Sequence, residues 1–373
     1  YLFSGHYSVE NAFFESMSGW TATGLSFAQD VASFPQSLLF FRSFTQWIGG
    51  VGIVLFALLV LRAPAASQLL RAESRDAVAL SVVQTAKLIW GIYLVLTLLG
   101  VLLLVGSGMD WFSAVNLAMA ALATGGFIPT DSLAATALQK LIFVLLMVWG
   151  GTAFALHLSA FRREFYKFWE NTEYKIMLAA IVLFSLLIVA ATAEPLENAF
   201  FHVASALSGT GFSLEALGGL GDFGLFLLFL LMISGACSGS TTGAIKLWRT
   251  FALLKSLVAR VRQVFLPQHA VQVLKVNRKI LKQEDVVESG TFVFLYLFVI
   301  TVAAGILMAL GLPALESLFL SASALGNVGL SVGASWFSFP LIGKAVLFVC
   351  MWLGRIEILP SLVLFRALRH PGE

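Results

Sequence analysis

The sequence predicts an all-α polytopic membrane protein, a pseudo-fourfold repeat of helix, pore half-helix, filter loop and helix whose first unit is truncated at its N-terminus. Three observations predict it. The 373 residues are 59% hydrophobic and only 12% charged, with a mean hydropathy of +0.92, whereas a soluble domain carries about a quarter charged residues. Apolar runs long enough to cross a bilayer, which takes about 20 residues, recur along the whole chain. Between them one pattern of small residues returns four times.

The apolar runs are 38–61, 85–105, 137–160, 175–193, 223–252, 289–311 and 340–365. Shorter, semi-polar stretches lie at 9–24, 112–126, 196–211 and 314–329. They are too short and too polar to span, so re-entrant half-helices are the natural reading. Aligned on one glycine they read "NAFFESMSGWTATGLS", "SAVNLAMAALATGGFI", "NAFFHVASALSGTGFS" and "ESLFLSASALGNVGLS". The aligned residues are Gly24, Gly126, Gly211 and Gly329. A second glycine follows 25, 24, 24 and 25 residues later, at Gly49, Gly150, Gly235 and Gly354, within the next apolar run. The units divide as 1–62, 63–162, 163–252 and 253–373. Unit one lacks its first helix, which the repeat predicts to precede Tyr1.

Charge sets the expected orientation. The stretches 1–41, 105–139, 193–245 and 311–343 contain no Lys or Arg but hold ten of the twenty acids. Basic residues gather instead in 62–87, 162–175, 246–282 and 366–369. Under the positive-inside rule that second group is cytoplasmic, and all four half-helices enter from outside. The segment 246–287 carries Lys246, Arg249, Lys255, Arg260, Arg262, Lys275, Arg278, Lys279 and Lys282 and reads as the largest cytoplasmic loop, able to face lipid headgroups or an acidic partner.

Irregular backbone at membrane depth is tolerated only inside protein or along a water-filled cavity. Four glycine loops entering from one side can share an axis, where glycine admits positive φ and a ring of carbonyls replaces a cation's hydration shell. The half-helices would aim their negative C-terminal ends there. The expected filter residues are Ala22, Thr23 and Gly24; Thr124, Gly125 and Gly126; Gly209, Thr210 and Gly211; and Asn327, Val328 and Gly329. Thr23, Thr124 and Thr210 offer hydroxyls and Asn327 an amide. No carboxylate stands at these positions, and divalent sites usually supply several. The expected ion is a monovalent cation, K+ or Na+, between which the residues themselves do not choose.

Two features break the apolar pattern. In "SGACSGSTTGAIKLW" the poor helix formers Gly235, Ser238, Gly239, Ser240, Thr241, Thr242 and Gly243 interrupt the run 223–252. They read either as a small-residue packing interface or as unwound backbone acting as a gate beneath the third loop. Arg355 sits mid-run beside Gly354. An Arg at a helix centre costs about 2.5–3.5 kcal/mol on insertion scales, so it should face the pore interior or a partner. Its position suits a place under the filter toward the break, the alternative being a packing or salt-bridge role elsewhere. Glu357, two residues on, is on the wrong face to pair with it within one helix. Glu15 and His202 read as lining residues behind the filter, while Asp110, Glu194, Glu197 and Glu316 near the outer mouth read first as solvated loop charge and second as a means of concentrating cations.

Other classes fare worse. The five histidines (6, 157, 202, 269 and 370) offer no nucleophile–base or metal spacing for an intramembrane enzyme. Cys237 and Cys350 form no framework. A coupled transporter built on inverted repeats fits less well than a channel-like design, because these repeats are parallel. Nothing points to nucleic acid.

The stretches "RSFTQWIGGVGI" (42–53), "RAE" (71–73), "QTAKLIWGIYLVLT" (84–97), "ATGGF" (123–127), "GACSGSTTGAIK" (235–246) and "WLGRIEIL" (352–359) resemble the Trk/Ktr/HKT superfamily of potassium transporters, most closely the Trk-type membrane subunit. The resemblance spans essentially the whole chain. It implies potassium (K+) uptake across the cell membrane through a four-loop filter, with no cofactor in this chain. It further implies a homodimer, a gating loop at 235–243 facing Arg355, and a cytosolic ring-forming regulatory partner that binds the nucleotide (NAD or ATP/ADP). Na+-coupled or Na+-permeable transport by the same architecture is the alternative.

Overall fold

Two kinds of helix alternate along the chain, and their lengths decide what each can do. The computed structural model describes residues 1–28, 30–56, 82–214, 217–266, 275–276, 279–333, 339–358 and 361. The motif at 71–73, most of the basic stretch 62–87, the basic residues at 366–369 and the last residues of the predicted runs 38–61 and 340–365 lie outside them.

The first unit holds α1 (Val9–Trp20) and α2 (Gln36–Phe56). The second holds α3 (Val82–Gly106), α4 (Trp111–Leu122), α5 (Ala137–Gly151) and α6 (Phe154–Phe161). The third comprises α7 (Tyr166–Glu170), α8 (Thr172–Ala191), α9 (Leu196–Ser208) and α10 (Gly221–Ser234), and α11 (Leu247–Gln263) runs across the boundary at 252 into the fourth. The fourth comprises α12 (Gln283–Ala309), α13 (Ala314–Gly326) and α14 (Leu341–Ile356). The one β pairing among the described residues is a two-residue antiparallel contact of Lys275–Val276 with Lys279–Ile280.

Helices α1, α4, α9 and α13 have 12 or 13 residues, about 18–20 Å at 1.5 Å per residue, well short of the roughly 30 Å hydrocarbon core. Each starts on a defined signal. Ser8 and Asp110 accept hydrogen bonds from the N–H groups of Asn11 and Ser113, and Pro195 and Pro313 precede the other two. Hydrogen bonds from Ser113 hold the Asp110 carboxyl below the usual range, so this cap is ionised at neutral pH. Helices α4, α9 and α13 are largely buried, with alanines such as Ala118, Ala121, Ala206 and Ala324 letting neighbours approach closely, while α1 buries one face and turns Val9, Phe13 and Trp20 outward. The long helices surround them and turn Leu98, Leu102, Leu183, Leu186, Phe294 and Phe298 outward, as a lipid-facing surface does. Val83–Gly106, Thr172–Ala191, Leu217–Ser234 and Gln283–Ala309 are long and apolar enough to cross a membrane.

Two expectations are corrected. The run 137–160 is not one straight helix: α5 and α6 are bent by 106°. Thr152 and Ala153 are extended at the break, and the N–H of Phe154 donates to the Gly239 carbonyl at 3.1 Å. The run 223–252 ends as a straight helix at Ser234, and 247–263, expected as loop, is the helix α11, with Arg249, Lys255, Arg260 and Arg262 along it. Basic residues are also present where the half-helices begin. Lys140 and Lys344, just beyond the Lys- and Arg-free stretches, pair with Glu197 and Glu10.

Candidate ion pathway

The four half-helices end in one backbone shape. Ala22, Thr124, Gly209 and Asn327 are left-handed, with φ of 51°, 54°, 73° and 52°. Two residues on, Gly24, Gly126, Gly211 and Gly329 are left-handed again, with φ of 91°, 80°, 77° and 95°. The residue between donates its N–H to the carbonyl five positions back: Thr23 to Ser18, Gly125 to Ala120, Thr210 to Ser205 and Val328 to Ser323, at 2.9–3.0 Å. This is the helix ending in which a left-handed residue lets the chain reverse and satisfy the last carbonyls.

The loops meet in a closed ring. A Cβ on Gly24 would overlap the Gly125 carbonyl, one on Gly126 the Thr210 carbonyl, one on Gly211 the Val328 carbonyl and one on Gly329 the Thr23 carbonyl. Unit one thus abuts unit two, two abuts three, three abuts four, and four abuts one. With the N–H groups spent on the half-helices, the Thr23, Thr210 and Val328 carbonyls have no protein donor among the described residues.

The hydroxyls expected beside them do different work. Thr124 aligns with Ala22, Gly209 and Asn327, one residue before the level of Thr23 and Thr210. Its hydroxyl meets Thr241 at 3.2 Å and donates to the Ala123 carbonyl. The Thr23 hydroxyl is shared with Thr21 at 2.7 Å and accepts from the Asn327 amide at 2.9 Å, while Thr210 meets Ser208 at 2.8 Å. These side chains knit the loops together and leave the carbonyls as the unspent acceptors.

Behind the ring lie braces, of which sequence reasoning singled out Glu15 and His202 but not Gln46 or Arg42. Gln46 donates to the Gly125 carbonyl and accepts from the Phe127 N–H, so α2 of unit one holds the loop of unit two. Glu15, fully buried, receives Arg42 at 2.7 Å and the Ser26 hydroxyl at 2.9 Å, and the Arg42 guanidinium lies 4.3 Å from the Phe127 ring centre. His202, at the position of Glu15 in unit three, accepts the Leu214 N–H at 3.5 Å. The signal for Arg42 and Gln46 was present, since polar side chains in a spanning run are expensive.

Beneath the ring, residues 235–246 form irregular backbone. The equivalent glycines of the other units, Gly49, Gly150 and Gly354, each lie against the half-helix of their own unit, at the carbonyls of Trp20, Leu122 and Leu325. Gly235 instead turns left-handed at φ 65° and ends α10. The loop then reaches the other units. The N–H groups of Cys237 and Thr241 donate to Gly151 and Gly150 at 3.1 and 3.4 Å. The Thr241 hydroxyl donates to the Leu122 and Gly150 carbonyls at 3.1 Å. Gly243 lies against the Gly326 carbonyl and the Asn327 amide oxygen. Ser240 bonds Thr242 at 2.9 Å, and Lys246 donates to the Thr242 carbonyl. Glu173 accepts the Ser238 N–H at 3.1 Å, and Gly239 takes Phe154 as described.

Arg355 joins the assembly. Its guanidinium donates to the Thr241 carbonyl at 2.8 Å and to the Gly49 and Gly50 carbonyls at 2.6 and 2.9 Å, with the residue only 7% exposed. Among the described residues no carboxylate pairs with it. Glu357 instead makes a two-pronged pair with Arg249 at 2.8 and 3.2 Å, and Arg249 stacks 4.0 Å from the Phe292 ring centre. One cation from unit four thus touches units one and three, through carbonyls alone.

Comparison with known proteins agrees with this architecture. The family model described as TrkH, cation transport protein, matches residues 1–182 and 175–372. An uncharacterized cation transporter of Methanocaldococcus jannaschii is 36% identical over 373 residues, covering 99% of this chain and 78% of that protein. The Trk system potassium uptake protein TrkH of Escherichia coli K12 is 28% identical over 386 residues, covering 97% and 80%. The crystal structure of the potassium transporter TrkH from Vibrio parahaemolyticus superposes with a TM-score of 0.85 at 28% identity, over 96% of this chain and 78% of that one. A polytopic helical membrane protein matched by this family model along nearly its whole length, the chain belongs to the TrkH family of cation transport proteins.

Proposed function

We propose that the chain carries K+ into the cell through the ring of Gly24, Gly126, Gly211 and Gly329, with the 235–246 loop and Arg355 as its gate. The carrying observation is the closed circuit in which each glycine meets the next loop's carbonyl. Carbonyls without protein donors suit a desolvated monovalent cation, and no carboxylate lies in the loops to favour a divalent one. The negative C-terminal ends of four half-helices add to the attraction. Relatives named as potassium uptake proteins support K+ over Na+ as the cargo. The half-helices enter from outside and the basic helix α11 faces the cytoplasm, so an inside-negative membrane potential favours entry by about 2.3 kcal/mol per charge per 100 mV.

The gate reading rests on the contacts of the loop with all three neighbouring units, directly or through Arg355, beneath the ring. A buried guanidinium there raises the barrier for another cation. We further propose a homodimer that works with a cytosolic regulatory ring protein, the nucleotide being held by that partner.

The test is uptake of ⁸⁶Rb⁺ and ²²Na⁺ into liposomes containing the purified protein. Rb⁺ entry well above Na⁺ entry is expected, driven by an inside-negative potential. Equal entry of both ions would move the assignment to a Na⁺-permeable pathway, and entry of neither under any applied potential would reject the conduction reading.

A further inference from the structure

The stretch "ENAFF" occurs in units one and three alone, at 10–14 and 197–201. In both copies its first two side chains are gripped by a lysine of the preceding unit. Lys140 of α5 reaches Glu197 Oε1 and Asn198 Oδ1, both at 2.7 Å. Lys344 of α14 reaches Glu10 Oε1 at 2.5 Å and Asn11 Oδ1 at 2.8 Å. The correspondence is positional. Each lysine is the fourth residue of its helix and precedes the mid-helix glycine, Gly150 or Gly354, by ten residues. Each glutamate precedes its ring glycine, Gly211 or Gly24, by fourteen.

The other two boundaries use different chemistry. The lysine position is taken by Leu39 and Leu225, both buried, and the glutamate position by Phe112 and Leu315. At these two positions the outer layer of the ring is therefore twofold, with lysine clasps between units two and three and between four and one and apolar residues at the other two boundaries. The contact of units one and two has a polar bond elsewhere, from the Val31 N–H to the Asp131 carboxylate at 2.7 Å.

Net stability is a weak reason for such clasps. Glu197 and Glu10 are about half exposed, at 51% and 47%, and exposed ion pairs contribute about 0–1 kcal/mol. What the clasps supply is geometry. An ammonium has three donors, and here two of them fix adjacent side chains on the first turn of a half-helix, pinning its tilt against the neighbouring unit. Lys344 also lies 5.0 Å from the ring centre of Phe27, three residues beyond Gly24, and so touches the chain leaving the ring as well as the helix entering it.

We propose that Lys140 and Lys344 are positioning residues for ion selection, setting the tilt of the opposite half-helices α9 and α1 and thereby the width of the ring. The inference rests on the filter reading above. The test compares Rb⁺ and Na⁺ uptake, per inserted protein, for wild type, Lys140→Gln, Lys344→Gln, their combination, and the exchange Lys140→Glu with Glu197→Lys. Each single variant is expected to lower the Rb⁺/Na⁺ ratio several-fold, the combination to lower it further, and the exchange to recover at least half of the loss. An unchanged ratio in both single variants overturns the proposal, whatever happens to yield or melting temperature, because a purely structural clasp alters amount and not selectivity. A wild type that does not distinguish the ions overturns the filter reading, and this inference with it. Should the combined variant fail to insert, the single variants and the exchange decide alone.

Discussion

Glu15 and Arg42 are a buried pair that ties the first loop to its flanking helix. Taking one charge away leaves the other buried and uncompensated, which costs about 3–5 kcal/mol, whereas replacing both by apolar groups is often close to neutral. Glu15→Ala is thus expected to destabilise the protein by that amount in detergent unfolding, and Glu15→Met with Arg42→Met to recover most of it. A loss below about 1 kcal/mol in the single variant would mean the pair is solvated in the working protein. At this scale the sequence was legible unevenly. Arg355 announced itself as a charge in the middle of an apolar run. Arg42 stands near the start of the run 38–61, where a basic residue looks like ordinary flank, and its partner lies 27 positions away on a half-helix. Lys140 and Lys344 were hidden similarly, at the edges of stretches otherwise without basic residues. Spacing along one chain cannot display a contact made between units.

Among the elements, the 235–246 loop was the most readable, because seven glycines, serines and threonines in nine positions cannot sustain a helix in lipid unless other groups satisfy the backbone. Those groups are the carbonyls of Gly150 and Gly151, the carboxylate of Glu173 and the guanidinium of Arg355. The α5–α6 bend was not readable. "GGTAFALHL" reads as an apolar run broken only by Thr152 and His157, and the turn at Thr152 meets Gly239, far along the chain. If the loop is the gate, shortening it should open the path. Deletion of Ser238 to Thr241 is expected to raise Rb⁺ uptake several-fold over wild type in the absence of any partner, and Arg355→Ala to raise it in the same assay by withdrawing the cation beneath the ring. Both variants must be normalised to inserted protein. Uptake in the deletion that stays at the wild-type level would remove the loop from the gating role and leave it as packing between units.

At the scale of the whole molecule, the ring has a thermodynamic consequence that no single unit could show. Its glycines lie at positions 24, 126, 211 and 329, so an ion held by the four loops links segments more than 300 residues apart in sequence and is released on unfolding. A ligand that binds the folded state alone stabilises it by RT ln(1 + [L]/Kd), about 2.7 kcal/mol at a hundredfold excess over Kd. The melting temperature in detergent should accordingly rise with K+ or Rb⁺ at constant ionic strength, and rise less with Na⁺ or choline. Gly211→Asp should abolish the K+-dependent increment if the proposed filter holds, since any side chain there overlaps the Val328 carbonyl and the added carboxylate would alter the proposed ion site. Choline as the balancing cation separates occupancy of the ring from general screening, which acts on the surface charges of α11 whatever the cation. A melting temperature that follows ionic strength alone, with K+ and choline interchangeable, would show that the four loops meet as packing and hold no ion.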